Sequence, residues 1–255
     1  MNNITITSVH NDIVKQVIAL KQKKFRDEQG LFVVEGKKQV AEISKDWKIK
    51  FIITTNSTLS ALNPQSLTYI VSDQVFKKIS GTETPQGILA VVEKKKYDIN
   101  NILAQKGLFV ICDNLQDPGN IGTIIRTAEA FSCKGIFLSK NSADIYSEKV
   151  VRSTMGTIFN IPIFQECDIA ALIKIFKEKN IKTYALALDG SKNLQDLKID
   201  TDSVAIIVGN EANGISNEIL KIADEKIKIE MTGKAESLNA AIATGITIYK
   251  ISLDL

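Results

Sequence analysis

Three segments of this 255-residue chain carry side chains that could do chemistry: CDNLQDPGNIGTIIRTAEAF, VGNEANGIS and IEMTGKAESLNAAIATGITIYKISL. In the first, Asn120 can cap a helix whose apolar stripe is Ile121, Ile124, Ile125 and Ala128. Arg126 falls off that stripe. A solvent-facing arginine is the plain reading, but a cation near the start of a helix opposes the helix dipole, and a nearby anion would compensate. In the second segment Gly209 and Gly214 are spaced like the glycines of a phosphate-binding P-loop, yet Ile215 stands where that motif requires lysine, which disfavours an ATPase. The glycines with Asn210 and Asn213 could simply make a tight strand-to-helix turn. Glu211, in the middle of that turn, is harder to assign to turn geometry. The third segment joins a strand to a long helix, with Ser237 as a plausible cap and Leu238, Ile242 and Ile246 on one face. Ala240, Ala241, Ala243 and Gly245 permit close packing, either inside a core or at a subunit interface.

The use of arginine adds to this. Only Arg26, Arg126 and Arg152 are arginine among 32 basic residues, so the planar two-point fork is rare where a point charge would serve. Those three positions are therefore candidates for function. The clusters Lys21, Lys23, Lys24, Arg26 and Lys94, Lys95, Lys96 could meet phosphates or be solvated element ends, and a net charge of +3 does not decide between them. His10 is the only histidine and has no cysteine or carboxylate at ligand spacing, which argues against histidine triads and zinc. Cys112, Cys133 and Cys167 fit neither a disulfide framework nor a C-x-x-C metal pattern, and are expected as buried thiols.

The elements needed to position these loops read as two α/β units. The first has a helical pattern (Ile13, Val14, Val17, Ile18, Leu20), a basic turn KQKKFRDEQG, strands LFVVEG, KIKFIITT, LTYIVS and GILAVVE, and helices KKQVAEIS and SDQVFKKIS. The charged stretch EKKKYDINNILAQKG is the expected boundary, dividing 1–96 from 107–255 with a linker at 97–106. The second unit alternates unbroken apolar runs with helices, which predicts a mainly parallel sheet covered on both faces, with ligands at the carboxyl ends of its strands. No apolar stretch is long enough to span a bilayer and the N-terminal residues lack a leader pattern, so a cytoplasmic protein is expected.

DPGNIGTIIRTAEAF, IIVGNEANGIS and IEMTGKAESLNAAIATGI, in this order, resemble the three motifs of the SpoU, or TrmH-like, branch of the SPOUT RNA methyltransferases. FRDEQGLFVVEG and GTETPQGILAVV resemble that family's RNA-binding extension, similar to ribosomal protein L30e. The resemblance implies an α/β parallel sheet whose C-terminal segment is threaded into a trefoil knot, a topology that general packing rules would not suggest. It implies S-adenosylmethionine held largely by backbone groups at Gly209, Ile229, Met231 and Leu238. It further implies a homodimer through the methyltransferase domain, and no metal. Arg126 is the implied essential residue, with Asn120, Glu211, Ser237 and Asn239 positioning substrate or loop; Arg152 matches a basic position near RNA, and Lys24 and Arg26 are the other RNA candidates. Glu230 stands where proline is common and Ala212 where glycine is common.

The activity implied is methylation of a ribose 2′-hydroxyl in RNA, ribosomal RNA ahead of transfer RNA. A guanidinium does not readily lose its proton, so Arg126 is expected to grip a phosphate and stabilise the developing alkoxide rather than act as a base. A non-catalytic RNA-binding protein assisting ribosome assembly is the alternative. A nicotinamide-dependent dehydrogenase would need G-x-G-x-x-G after an early strand, where this chain has DNLQDPGN.

Overall fold

Apolar runs of five or six residues such as LFVVE and GLFVIC are too short for stable helices, and they form strands buried almost throughout. The computed structural model describes residues 3–56, 66–189 and 192–255. In chain order these begin with β1 (Asn3–Ile6), α1 (Asp12–Ala19), α2 (Lys23–Gln29), β2 (Leu31–Glu35), α3 (Lys37–Ala41), β3 (Ile49–Thr54), β4 (Thr68–Val71), α4 (Asp73–Ile79) and β5 (Ile88–Glu93). They continue with α5 (Ile99–Leu103), β6 (Gly107–Cys112), α6 (Pro118–Ala130), β7 (Gly135–Ser139), α7 (Glu148–Ser153), β8 (Ile163–Cys167) and α8 (Ile169–Glu178). The last are β9 (Lys182–Leu186), β10 (Lys192–Asn193), β11 (Ser203–Val208), α9 (Asn217–Ile222), β12 (Glu225–Lys228) and α10 (Ala240–Ser252).

The chain divides into two compact units, 1–96 with 146–160, and 97–145 with 161–255. The division falls between Lys96 and Tyr97. The expected linker carries α5, capped by Asp98, and its Ile102 and Leu103 enter the core of the second unit. Their i+3 and i+4 placement after Ile99 gives this short helix the apolar face that the charged surroundings obscured.

The first unit has a mixed sheet in the order β1-β4-β3-β5-β2. Leu31 and Val33 of β2 face a core shared with α1 and α4, including Val14, Val17, Val75 and Phe76. Phe32, on the opposite face, meets Tyr146 at 4.6 Å and lies near Trp47 and Phe159, and the Trp47 indole N–H donates to the Phe159 carbonyl at 2.9 Å. Residues 146–160 thus cover one face of a sheet built from residues far earlier in the chain. The stretch expected as a basic turn is helix α2, closed by Gly30 in the left-handed region at φ 64°, where a side chain would be strained. Residues 3–6 add a strand, β1, parallel to β4.

The second unit holds a seven-stranded sheet in the order β10-β12-β9-β11-β6-β7-β8, parallel at every pairing. Phe109, Phe137 and Phe176 anchor one core with Leu172, Ile173 and Ile207. Cys112 and Cys133 are buried, which pushes both thiols up to about 12. No helix among the described residues is long and apolar enough to cross a membrane.

Candidate active site

The loops after β6, β9 and β11 and the segment after β12 all leave the carboxyl ends of parallel strands, where an open α/β sheet gathers its ligands. After β11 the chain turns sharply: Asn210 and Gly214 exchange backbone hydrogen bonds of 2.9 Å, and the Asn210 side chain accepts from the N–H groups of Ala212 and Asn213 at 3.0 Å. A Cβ on Gly209 would stand 2.1 Å from the Gly214 carbonyl carbon, so only glycine lets the strand end pass this close to the turn. Gly214 itself sits at φ 68°.

That turn carries Glu211 back to the loop after β6. Its carboxylate accepts from the Asp117 and Gln116 N–H groups at 3.1 and 3.3 Å and from the Asn120 side-chain amide at 2.9 Å. Asn120 is buried, and its own amide oxygen accepts from the Asn239 side chain at 2.9 Å. The Asn239 amide oxygen then accepts from Ala241 and Ile242 N–H at 2.9 and 3.2 Å, capping α10. One continuous relay, Glu211–Asn120–Asn239, therefore ties the three unusual loops together. Burial alone would raise the Glu211 carboxyl, but the hydrogen bonds from Asn120 and from backbone N–H groups outweigh it and hold the group below the usual carboxylate range. At neutral pH it is an acceptor only.

Two helix caps differ from expectation. Asp117, not Asn120, caps α6, accepting the Asn120 N–H at 2.8 Å, and Pro118 occupies the first helical turn. The Asp-Pro step is a stronger start signal than an asparagine two residues later, and it frees Asn120 to bridge Glu211 and Asn239. Likewise α10 begins at Ala240 under Asn239, and Ser237 lies outside the helix.

Beside the relay lies a cleft of about 400 Å³. Gly209, Ile229, Met231 and Leu238 all line it, as do Glu211, Ser237 and Asn239. Leu186, Ala187 and Leu188 at the end of β9, with Ile227 and Ala243, complete walls that sequence reasoning missed. The carboxyl end of the KTYALAL strand was the available signal, since it adjoins the strand bearing Gly209. Glu230 holds one wall to β10's neighbourhood by accepting from Gln195 at 2.7 Å.

Arg126 is not among the lining residues. It stands on the exposed side of α6, and among the described residues no group hydrogen-bonds or pairs with it. Ile121, Ile124, Ile125 and Ala128 are buried. The remaining candidates lie in the first unit. Lys24 is exposed beside Glu28, and Arg152 is half-buried with one guanidinium nitrogen buried and unpartnered. Arg26 does not face solvent: it is 4% exposed and donates to the Leu20 and Lys21 carbonyls at 2.7 and 2.8 Å. Its guanidinium is thus taken up by the carbonyls that follow α1, unlike that of the exposed Arg126.

The all-parallel sheet with a cleft at its strand ends, closed by loops that exchange side-chain amides, defines an α/β protein built to hold a small molecule beside a polar relay. Residues 107–249 match the SpoU rRNA Methylase family and residues 11–90 match the MRM3-like substrate binding domain. The chain belongs to the SpoU rRNA methylase family. The 23S rRNA (guanosine(2553)-2'-O)-methyltransferase RlmP of Bacillus subtilis (strain 168) is 34% identical over 249 residues, spanning 96% of this chain and 98% of its own. The AdoMet-bound rRNA methyltransferase of Sinorhizobium meliloti superposes with a TM-score of 0.87 at 33% identity, covering 99% of this chain and 98% of that one. The SpoU methyltransferase AviRb of Streptomyces viridochromogenes, in complex with AdoMet, gives 0.87 at 25% identity, covering 96% and 98%.

Proposed function

We propose that this chain transfers the methyl group of S-adenosylmethionine to a ribose 2′-hydroxyl of ribosomal RNA. The observation that carries the reading is the Glu211–Asn120–Asn239 relay standing beside a cleft whose walls are Gly209, Ile229, Met231 and Leu238. The residues present suit the cofactor. The cleft's volume falls within the range of about 300–1,000 Å³ of small-molecule sites, its walls are apolar at Leu186, Ile227 and Leu238, and Gly209 lines it without a side chain. When bound, the sulfonium supplies a methyl group already activated for displacement.

The protein's share is then alignment and charge stabilisation. Glu211, held ionised by three donors, is too weak a base to take the hydroxyl proton at neutral pH, and it acts by fixing the turn against α6. Asn239 and Ser237 orient the ribose at the mouth of the cleft. Arg126, exposed and unpartnered, grips a neighbouring phosphate and stabilises the oxyanion forming at the ribose, while water or a phosphate oxygen takes the proton. Lys24 and Arg152 meet RNA in the first unit, which we read as an L30e-like substrate-binding domain.

The same reading includes a trefoil knot and a homodimer. The knot is supported by α10 packing against α6, β6 and β11 after the chain has left the far side of the sheet through β12. The dimer is supported by α10's outer stripe, where Ile242, Ile246, Tyr249 and Leu253 are 40–64% exposed at helical spacing, with Phe131 against Tyr249. Calorimetry with S-adenosylmethionine, followed by transfer of labelled methyl to total RNA from cells lacking the gene, tests the function. Binding with label in ribosomal RNA is expected; no binding at millimolar cofactor would overturn it.

A further inference from the structure

The turn 209–214 also borders a second hollow, of about 440 Å³, lined by Asn114, Gln116, Asn141, Asn210, Asn213 and Ser216. Its side chains are all neutral, and five of these six bear an amide. Two of the amides form a fixed floor. Asn114 donates to Asp113 at 2.9 Å, its backbone N–H is held by the Ser139 hydroxyl at 2.7 Å, and its carbonyl accepts from the Asn210 side chain at 2.9 Å. The Asn210 oxygen is already taken by two backbone N–H groups. At the rim the situation reverses: the side chains of Gln116 and Asn141 are exposed and make no hydrogen bond to any described residue.

This lining selects a ligand class. With no lysine or arginine it is unsuited to phosphate, with no carboxylate it is unsuited to a cation, and its amides would be left unpaired by an apolar ligand. A carboxamide offers a donor and an acceptor side by side, which matches the edge of a nucleobase, and RNA is read by sequence chiefly through unstacked bases. The place is also constrained. Gln116 donates its backbone N–H to Glu211, and Asn210 and Gly214 line both the hollow and the cofactor cleft.

We propose that this hollow receives an unstacked nucleobase of the substrate RNA, within one nucleotide of the methylated ribose, read by the side-chain amides of Gln116 and Asn141. The inference rests on the methyl-transfer reading above, and its test separates the two. The substrate RNA fragment found by labelling is transcribed with each of the four bases at the methylated position and at both neighbours, and labelled transfer is compared for the wild type, Gln116→Ala and Asn141→Ala. The wild type should favour one base at one of these positions, and each variant should lose about tenfold or more of that preference with a raised KM for RNA. Affinity for S-adenosylmethionine, measured by calorimetry, should stay unchanged, because neither side chain lines its cleft. Variants that discriminate as the wild type does, or a wild type indifferent to all three bases, would overturn the proposal. A wild type that transfers no methyl to RNA would remove the methyl-transfer reading, and this one with it.

Discussion

Each unit of the molecule uses a carboxylate to fasten a turn, and the two are used to opposite ends. In the first unit Glu35, 7% exposed, accepts from the Ser80 and Thr82 hydroxyls and the Gly81 N–H. In the second, Glu211 accepts from two backbone N–H groups and from Asn120, but it borders an open cleft. The arginines repeat the contrast: Arg26 is enclosed and satisfied, Arg126 exposed and unpaired. Residue type is the same in both regions, and each carboxylate has three donors. What separates scaffold from site is whether any polar capacity is left over and faces space.

The sharpest way to break this comparison is Arg126→Lys. The ammonium keeps the charge but not the planar fork, so methyl transfer should fall about 100-fold or more with the thermal midpoint little changed. Near-normal activity would place Arg126 with Arg26 among merely structural or solvated residues. Glu35→Ala should do the reverse, lowering stability by about 2–3 kcal/mol in denaturant unfolding because buried donors lose their acceptor, while folded protein keeps its affinity for S-adenosylmethionine. Gly209→Ala should weaken cofactor binding about tenfold, near 1.4 kcal/mol, since the added Cβ must displace the Gly214 backbone. Arg26→Lys should cost about 1 kcal/mol of stability and leave RNA affinity per folded molecule unchanged in filter binding. The smallest effect concerns acid. Because the Glu211 carboxyl is lowered on folding from its ordinary value of 4.5, its contribution to stability is present above that value and lost as pH falls through the lowered one. Glu211→Gln should flatten that part of the pH–stability curve.

The sequence made the contrast half legible. Buried strands and the stripe Ile121, Ile124, Ile125 and Ala128 could be read because periodicity reports which residues leave water. The helix expected in SDQVFKKIS is α4, whose Ser72 accepts the Val75 N–H. Periodicity does not report what a face packs against: the Leu238, Ile242, Ile246 stripe is largely exposed, while α10 buries Ala241, Thr244, Thr247, Ile248 and Ile251 instead. Capping residues were legible in type and not in position, because Asp117, Asn120, Ser237 and Asn239 can all accept backbone N–H groups and only tertiary partners choose among them. Arg26 could not be told from Arg126 at all. Their difference lies in which carbonyls happen to stand nearby after folding.

The cover that residues 146–160 form over Phe32 and Trp47 has a consequence for the order in which the protein can be made. A ribosome delivers residues 1–96 first, with Phe32 and Trp47 lacking the Tyr146 and Phe159 rings they pack against. Residues 97–145 must be synthesised before those rings emerge, a delay on the order of seconds at typical elongation rates. Through that interval the first unit is an unfinished sheet with an aromatic face open to water or to a chaperone. Its completion waits on the synthesis of the second unit's first 49 residues, 97–145, so the two cannot mature as independent beads on one string.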